Sequence, residues 1–183
     1  MDAPTPVPPI AAIRLDFAYA PAPDRLALTV VGAEGQGAVF AITRRLARQL
    51  AARLVRILMD SSAEVGRTAA AHREDVLLFE HLAVTGVLGD VGSAAPAALQ
   101  LPNGIPAAGL LIRIHLQVGP AGLSLRLFGE TGTEATLVLG RHQIHQMLGV
   151  LAAKAREAEW DFGELAWFDR AAQVVVPAGT LLS

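Results

Sequence analysis

Cysteine is absent from this 183-residue sequence, which excludes disulfides, thiolate metal ligands and a cysteine nucleophile. Long apolar runs are missing as well. The longest, such as VLLF and AGLLI, are far shorter than the roughly 18 residues needed to cross a bilayer, so we expect no membrane partner. Charge is scarce, at 17% of residues with a net charge of −2, so the chain as a whole does not attract nucleic acid.

The first ten residues, MDAPTPVPPI, lack the basic and apolar regions of a secretory signal and contain four prolines. We therefore expect a disordered Pro-rich tail over residues 1–10 and a cytoplasmic protein, the default compartment. Hydrophobic residues make up 52% of the sequence, which indicates a compact globular chain. We predict a single domain over residues 11–183.

Two stretches of the sequence resemble two others further along the chain. Residues 13–22 (IRLDFAYAPA) align with 112–121 (IRIHLQVGPA), and 26–55 align with 123–152, so that 12 of 40 aligned positions are identical. Most of the remaining pairs exchange one apolar residue for another. Self-similarity of this kind predicts two copies of one structural unit.

Each copy contains three short stretches with the two-residue period of a β-strand. The third stretch, AVFAI or ATLVL, directly precedes a helical pattern. Residues predicted to lie on the buried faces of the first two strands are, in the first copy, Ile13, Leu15, Phe17, Tyr19, Leu26, Leu28 and Val30, and in the second, Ile112, Ile114, Leu116, Val118, Leu123, Leu125 and Leu127.

The glycine-rich stretch GAEGQG at 32–37 raises the question of a phosphate-binding loop. Such a loop must lead from a strand into a helix, so that the first backbone N–H groups point at the anion. Here the glycines lead into another strand, and the second copy has Glu134 in place of Gly37. We therefore predict a hairpin turn that uses glycine for positive φ.

Two amphipathic helices follow the strands. The first is predicted to begin after the N-cap Thr43 and to end near Asp60, and the second to span Arg141 to Glu159. An extra helix is predicted at roughly 64–85, followed by a long loop over 86–109. A last apolar strand, QVVV, is predicted at 173–176.

These patterns predict an α+β fold of tandem duplicated βββα units. About six strands form a mostly antiparallel sheet with the helices packed on one face, in a pseudo-twofold arrangement with the extra helix between the repeats. We place repeat 1 at 13–60, a connecting helix and loop at 61–110, repeat 2 at 111–159 and a C-terminal aromatic segment and strand at 160–183. Tandem strand-rich repeats that each end in a helix resemble the topology of Whirly and PUR-type single-strand nucleic-acid binders, although their units have four strands and no motif is shared.

No catalytic, cofactor or metal site is predicted. His142 and His145 are spaced i, i+3 on a helix, but no third ligand accompanies them, so we interpret them as structural. His72 and His81 fall on nearly opposite sides of a helix and are assigned no chemistry. None of the five serines lies in a G-x-S-x-G turn. We therefore expect a protein that is not an enzyme.

The predicted interaction surface combines a basic helix face with an aromatic segment. The arginines can neutralise phosphates or pair with carboxylates, unless they form only a solvated face. The aromatics can anchor a partner, unless they only cap the core. The arginines are Arg44, Arg45, Arg48, Arg53 and Arg56, and the aromatics are Trp160, Phe162, Trp167 and Phe168.

The sequence leaves three functional hypotheses open. The first is a non-enzymatic protein-interaction or assembly module that is homo-oligomeric and holds no cofactor. The second is a nucleic-acid-binding protein that uses the arginine face of helix 43–60, although the strands lack the interleaved basic and aromatic residues that stack bases. The third is a small-molecule-binding protein with its site between the two repeats.

Overall fold

The computed structural model of the protein describes residues 8–89 and 105–167. Within these ranges the fold is α+β, with six strands and four α-helices. The strands are β1 (Ile10–Ala20), β2 (Arg25–Gly32), β3 (Gly37–Ile42), β4 (Ala107–Gly119), β5 (Gly122–Gly129) and β6 (Glu134–Leu139). The helices are α1 (Arg44–Ser61), α2 (Ala63–Arg67), α3 (Arg73–Gly89) and α4 (Arg141–Glu157). The predicted strand at 173–176 lies outside the described residues.

The six strands close into a barrel in chain order, whereas the sequence predicts only a mostly antiparallel sheet of about six strands with the helices on one face. Four of the pairs, β1–β2, β2–β3, β4–β5 and β5–β6, are antiparallel. Two short parallel pairs close the barrel, β1 with β6 and β3 with β4. Periodicity within one strand does not reveal closure, because the closing strands are distant in the sequence.

A β-bulge interrupts each long first strand and changes which residues are buried. The register shifts between Ala12 and Arg14 on β1, and between Leu111 and Arg113 on β4. The extra residue in each bulge, Ile13 or Ile112, is left facing solvent, with exposures of 73% and 62%. The prediction that both isoleucines face the core is therefore wrong. The same prediction is wrong for Val118, which is 62% exposed near the end of β4.

The glycine-rich stretches form hairpin turns between antiparallel strands, as predicted. Gly35 has φ 82° and Gly132 has φ 84°, the left-handed conformation that glycine adopts without strain. In both turns the same backbone bonds recur, with the N–H of Gly32 and of Gly129 each donating to a carbonyl 2.8 Å away, four residues further along the chain. Neither turn leads into a helix, so neither can present a helix N-terminus to a phosphate.

Helix α1 begins where the sequence predicts. Thr43 is extended, at φ −74° and ψ 151°, and its hydroxyl accepts a hydrogen bond from the N–H of Leu46 at 3.2 Å. The buried face of α1 packs on α4. Both apolar faces join the alternate residues of the barrel strands in one core cluster.

The extra helix predicted at 64–85 is broken into α2, a short 3-10 turn at Ala70–His72 and α3. The hydroxyl of Thr68 donates to the carbonyl of Glu64 at 2.7 Å, and Thr68 itself is extended. This local bond competes with continuation of the helix, and Gly66, two residues earlier, lowers helix propensity. Strand β4 begins at Ala107, inside the predicted loop 86–109.

Candidate interaction site

The arginine face of α1 is exposed, as the helical pattern predicts. All five arginines, Arg44, Arg45, Arg48, Arg53 and Arg56, are classed as exposed, and the helix has no acidic residue in its first turn. Four of them, all except Arg48, form no hydrogen bond or ion pair with the described residues. Their charge is therefore available to a partner.

A groove separates α1 from the second half of β4. Its volume is about 1690 Å³. The helix contributes apolar side chains, among them Leu46, Leu50 and Ile57, and the strand contributes the consecutive residues 114–118. The groove therefore runs between an element of the first half of the chain and an element of the second.

Charged side chains of mixed sign line this groove. Arg53, Arg56 and Arg73 contribute positive charge, and Asp60 and Glu74 contribute carboxylates. Asp60 lies near the C-terminal end of α1, and Glu74 lies beyond that helix, on α3. The α1 arginines that do not line the groove lie toward the N-terminal end of the helix. The groove lining itself therefore carries both signs, with three arginines and two carboxylates, and the additional positive charge of α1 lies outside that lining.

Strands β4 and β5 carry a second basic cluster, which the sequence analysis missed. The guanidinium carbon of Arg113 lies 4.1 Å from the centre of the Phe128 ring, and that of Arg126 lies 5.3 Å away. His115 packs edge-on against the same ring at 5.1 Å and also lines the groove. Glu134 pairs with Arg126 at 2.9 Å. The cross-strand pairing of Arg113 with Phe128 was the signal that could have revealed this cluster.

Phe128 is nonetheless only 9% exposed, so its ring is covered by the basic side chains and presents little surface on which a base could stack. The cluster is therefore a cation–π arrangement within one sheet. It adds positive charge beside the groove.

The aromatic segment lies in the core of the structure. Trp160 and Phe162 are each 6% exposed and Trp167 is 2% exposed. The indole N–H of Trp160 donates to Asp24 at 2.8 Å, and its ring meets Tyr19 edge-on at 6.0 Å. These contacts favour the alternative in which the segment caps the core. Phe168 lies outside the described residues.

A polar network links the end of α1 with α3 and α4. Arg141 donates to the carbonyl of Leu58 at 3.0 Å and to the Ser61 hydroxyl at 2.7 Å, and it forms an ion pair with Glu80. The other Glu80 oxygen accepts from the Ser62 hydroxyl at 2.8 Å. One guanidinium thus caps a carbonyl in the last turn of α1 while it pairs with Glu80 on α3.

Burial opposes ionisation of the Glu80 carboxyl, but the hydrogen bonds from Arg141 and Ser62 and the charge of Arg141 outweigh it. The pKa of Glu80 is therefore lower than usual. Two histidines lie next to this network. Burial, aided by the charge of His145, lowers the pKa of His81 to about 4.

Burial and the charge of Arg141 also lower the pKa of His145, although Glu80 opposes the shift. Its Nε2 atom lies 3.6 Å from a Glu80 oxygen, which is longer than a hydrogen bond. The ring centres of His81 and His145 are 5.8 Å apart. Gly149 leaves room for this packing, since a Cβ there would lie 3.3 Å from the His81 ring. The cluster is a neutral, buried packing element.

His142 and His145 point in different directions, because His142 is exposed and contacts Gln146 at 3.2 Å while His145 is 1% exposed. Over residues 8–89 and 105–167, no group of three or more His, Asp or Glu side chains is placed to hold a metal ion. In the same ranges, no helix is long and apolar enough to cross a membrane.

Comparison with known proteins gives no assignment. No family model, curated protein or solved structure matches this chain.

Proposed function

We propose that the protein is a non-enzymatic interaction module that assembles with itself or with another protein through the groove between α1 and β4. The observation that carries this proposal is that Arg53 and Arg56, exposed and without a partner among the described residues, lie beside apolar side chains in the same groove. Arginine and apolar side chains together are typical of protein interfaces, where the guanidinium pairs with carboxylates.

We further infer that the two halves of the chain arose by duplication and are related by a pseudo-twofold axis. The matching order of strands and helix, the bulges at the aligned residues Ile13 and Ile112 and the equivalent turns at Gly35 and Gly132 support this inference. Under this arrangement the groove lies between the two copies.

The volume of the groove favours a macromolecular partner over a small molecule. Pockets for small ligands typically measure about 300–1,000 Å³ and enclose most of the ligand. The groove, at about 1690 Å³, is larger than this range and is only partly enclosed. This size argues against the third hypothesis, in which a metabolite occupies a site between the repeats.

Nucleic acid remains the second candidate because the α1 arginines and the cluster of Arg113 and Arg126 supply positive charge. The apolar side chains that line the groove favour protein, since they offer nothing to a phosphate backbone. A single-stranded oligonucleotide titrated at several salt concentrations separates the two. If nucleic acid is the ligand, affinity falls steeply with salt.

Light scattering of the full chain over a range of concentrations tests self-association. We expect a defined oligomer that Arg53→Glu with Arg56→Glu converts to monomer. Arg44→Glu with Arg45→Glu is the matched control, because it makes the same charge change on the same helix at residues that do not line the groove. A chain that stays monomeric throughout, or an oligomer that survives the double substitution, would contradict self-association through this surface.

A further inference from the structure

Strand β4 has a free backbone edge next to the groove. From Arg113 to Gly119 it pairs with β5 on one side. On the other side β3 pairs with it only at Ala107 and Leu110, so no described strand pairs with the remainder of that edge. An uncovered edge presents unpaired N–H and C=O groups that can accept another strand.

The residues that line the groove indicate that this edge, and not one face of the sheet, borders it. Side chains alternate between the two faces along a strand. All five consecutive residues at 114–118 line the groove. Such a continuous run is expected when the groove follows the backbone edge, where both faces are within reach.

The other half of the barrel fills the equivalent space. Helix α4 packs against β1, and Trp160 contacts Tyr19. Tyr19 is aligned with Val118, and extending the offset of the second aligned stretch beyond its last residue places Trp160 opposite Ala63. Val118 is 62% exposed. The groove is therefore the position at which the first half lacks a large side chain to cover the strand.

We propose that an extended segment of a partner protein, with alternating apolar and acidic residues, adds to β4 as a strand within this groove. The proposal rests on the protein-binding function above and specifies how the partner binds. The backbone of the segment pairs with the edge at 114–118. Its apolar side chains pack against Leu46 and Ile57, and its carboxylates pair with Arg53 and Arg56.

Charge and geometry favour this occupant. The exposed charges of α1 are five arginines and one carboxylate, Asp60, so an acidic segment is complementary to the helix. A strand rises about 3.3 Å per residue, so residues 114–118 offer an edge for a segment of about five to seven residues. A nucleic-acid strand has no backbone groups with the spacing of a β-ladder, so it would leave this edge unpaired.

Binding of a synthetic peptide to the full chain tests the mode of recognition. The probe is a fluorescently labelled peptide of about eight residues with alternating valine and glutamate, followed by fluorescence anisotropy. Two derivatives are N-methylated, one at every valine and one at every glutamate. In a strand, alternate N–H groups point to opposite edges. We expect one derivative to lose binding by about tenfold or more and the other to bind like the parent peptide.

Arg53→Glu with Arg56→Glu should weaken peptide binding by about tenfold or more, because each acidic side chain then meets a like charge. The matched control, Arg44→Glu with Arg45→Glu, should leave peptide binding unchanged. A peptide of alternating valine and lysine should not bind the unaltered protein.

Equal binding of the two methylated peptides would overturn strand addition. A parent peptide that does not bind would also overturn it. Neither result removes the proposed function, because the light-scattering experiment measures association through the groove without the peptide. Binding of a single-stranded oligonucleotide that displaces the peptide would instead assign the groove to nucleic acid.

Discussion

The buried His81 makes the stability of this protein depend on pH in a direction that can be worked out. The pKa of His81 is about 4 in the folded chain, against 6.5 for an unperturbed histidine, because burial opposes its charge. The unfolded chain therefore binds a proton at His81 between these values while the folded chain does not. The contribution of neutral His81 to the free energy of unfolding is therefore fully present above pH 6.5, and it is lost as the pH falls toward 4.

The size of this effect follows from the two pKa values. The pKa of His81 is about 4 in the folded chain and 6.5 in the unfolded chain. From His81 alone, the free energy of unfolding therefore falls by about 2 kcal/mol between pH 7 and pH 5. His145 acts in the same direction, because its pKa is also lowered. Glu80 contributes at lower pH. Its pKa is lowered from 4.5, so its contribution is present above 4.5 and is lost below that value.

Urea unfolding at pH 7, 6 and 5 measures this dependence. The His81→Gln variant should lose about 2 kcal/mol less than the unaltered protein over that range, whatever its stability at pH 7. His72→Gln is the control, because the His72 side chain is 71% exposed, and it should leave the slope unchanged. Equal slopes for the His81 variant and the unaltered protein would refute the reasoning. An NMR titration that places the His81 pKa near 6.5 would refute it as well.

Three further predictions concern stability and are checked by urea or thermal unfolding. Arg141→Ala removes the bonds to the α1 carbonyl and to Glu80 and should lower the free energy of unfolding by about 1–3 kcal/mol. A second substitution at Glu80 that removes the unpaired charge should restore part of this loss. Gly35→Ala should cost about 1 kcal/mol through backbone strain alone, because a Cβ there meets no atom within 4 Å. Gly66→Ala, equally uncrowded but at ordinary helical φ, should instead stabilise by about 0.5–1 kcal/mol. Leu54→Ala should cost about 2–5 kcal/mol, since Leu54 is 0% exposed, whereas Ile13→Ala should change stability by less than about 0.5 kcal/mol. A large loss at Ile13 would show that the bulge residue is buried.

The candidate site could be predicted only in part from the sequence. The exposed arginine face of α1 could be predicted, because a helix repeats every 3.6 residues and the arginines fall opposite the leucines. The groove could not be predicted, because its second wall is β4, whose residues 114–118 lie about sixty positions away along the chain. The aromatic segment could be recognised, but its composition suits both a core and an interface.

The sequence by itself determined the local elements. Alternation of apolar residues defined the six strands, Thr43 defined the start of α1 and the glycines defined the two hairpin turns. Each of these depends on side chains within a few residues of one another, so the local pattern carries the information.

Tertiary structure alone decided the rest. The parallel contacts of β1 with β6 and β3 with β4 turn a sheet into a barrel, and the bulge at Ile13 turns that side chain outward. His81 and His145 become a buried pair only when α3 packs on α4. These features arise from contacts between segments that are distant in the chain. Such contacts form where apolar surfaces can be buried together, and no local period records which surfaces will meet.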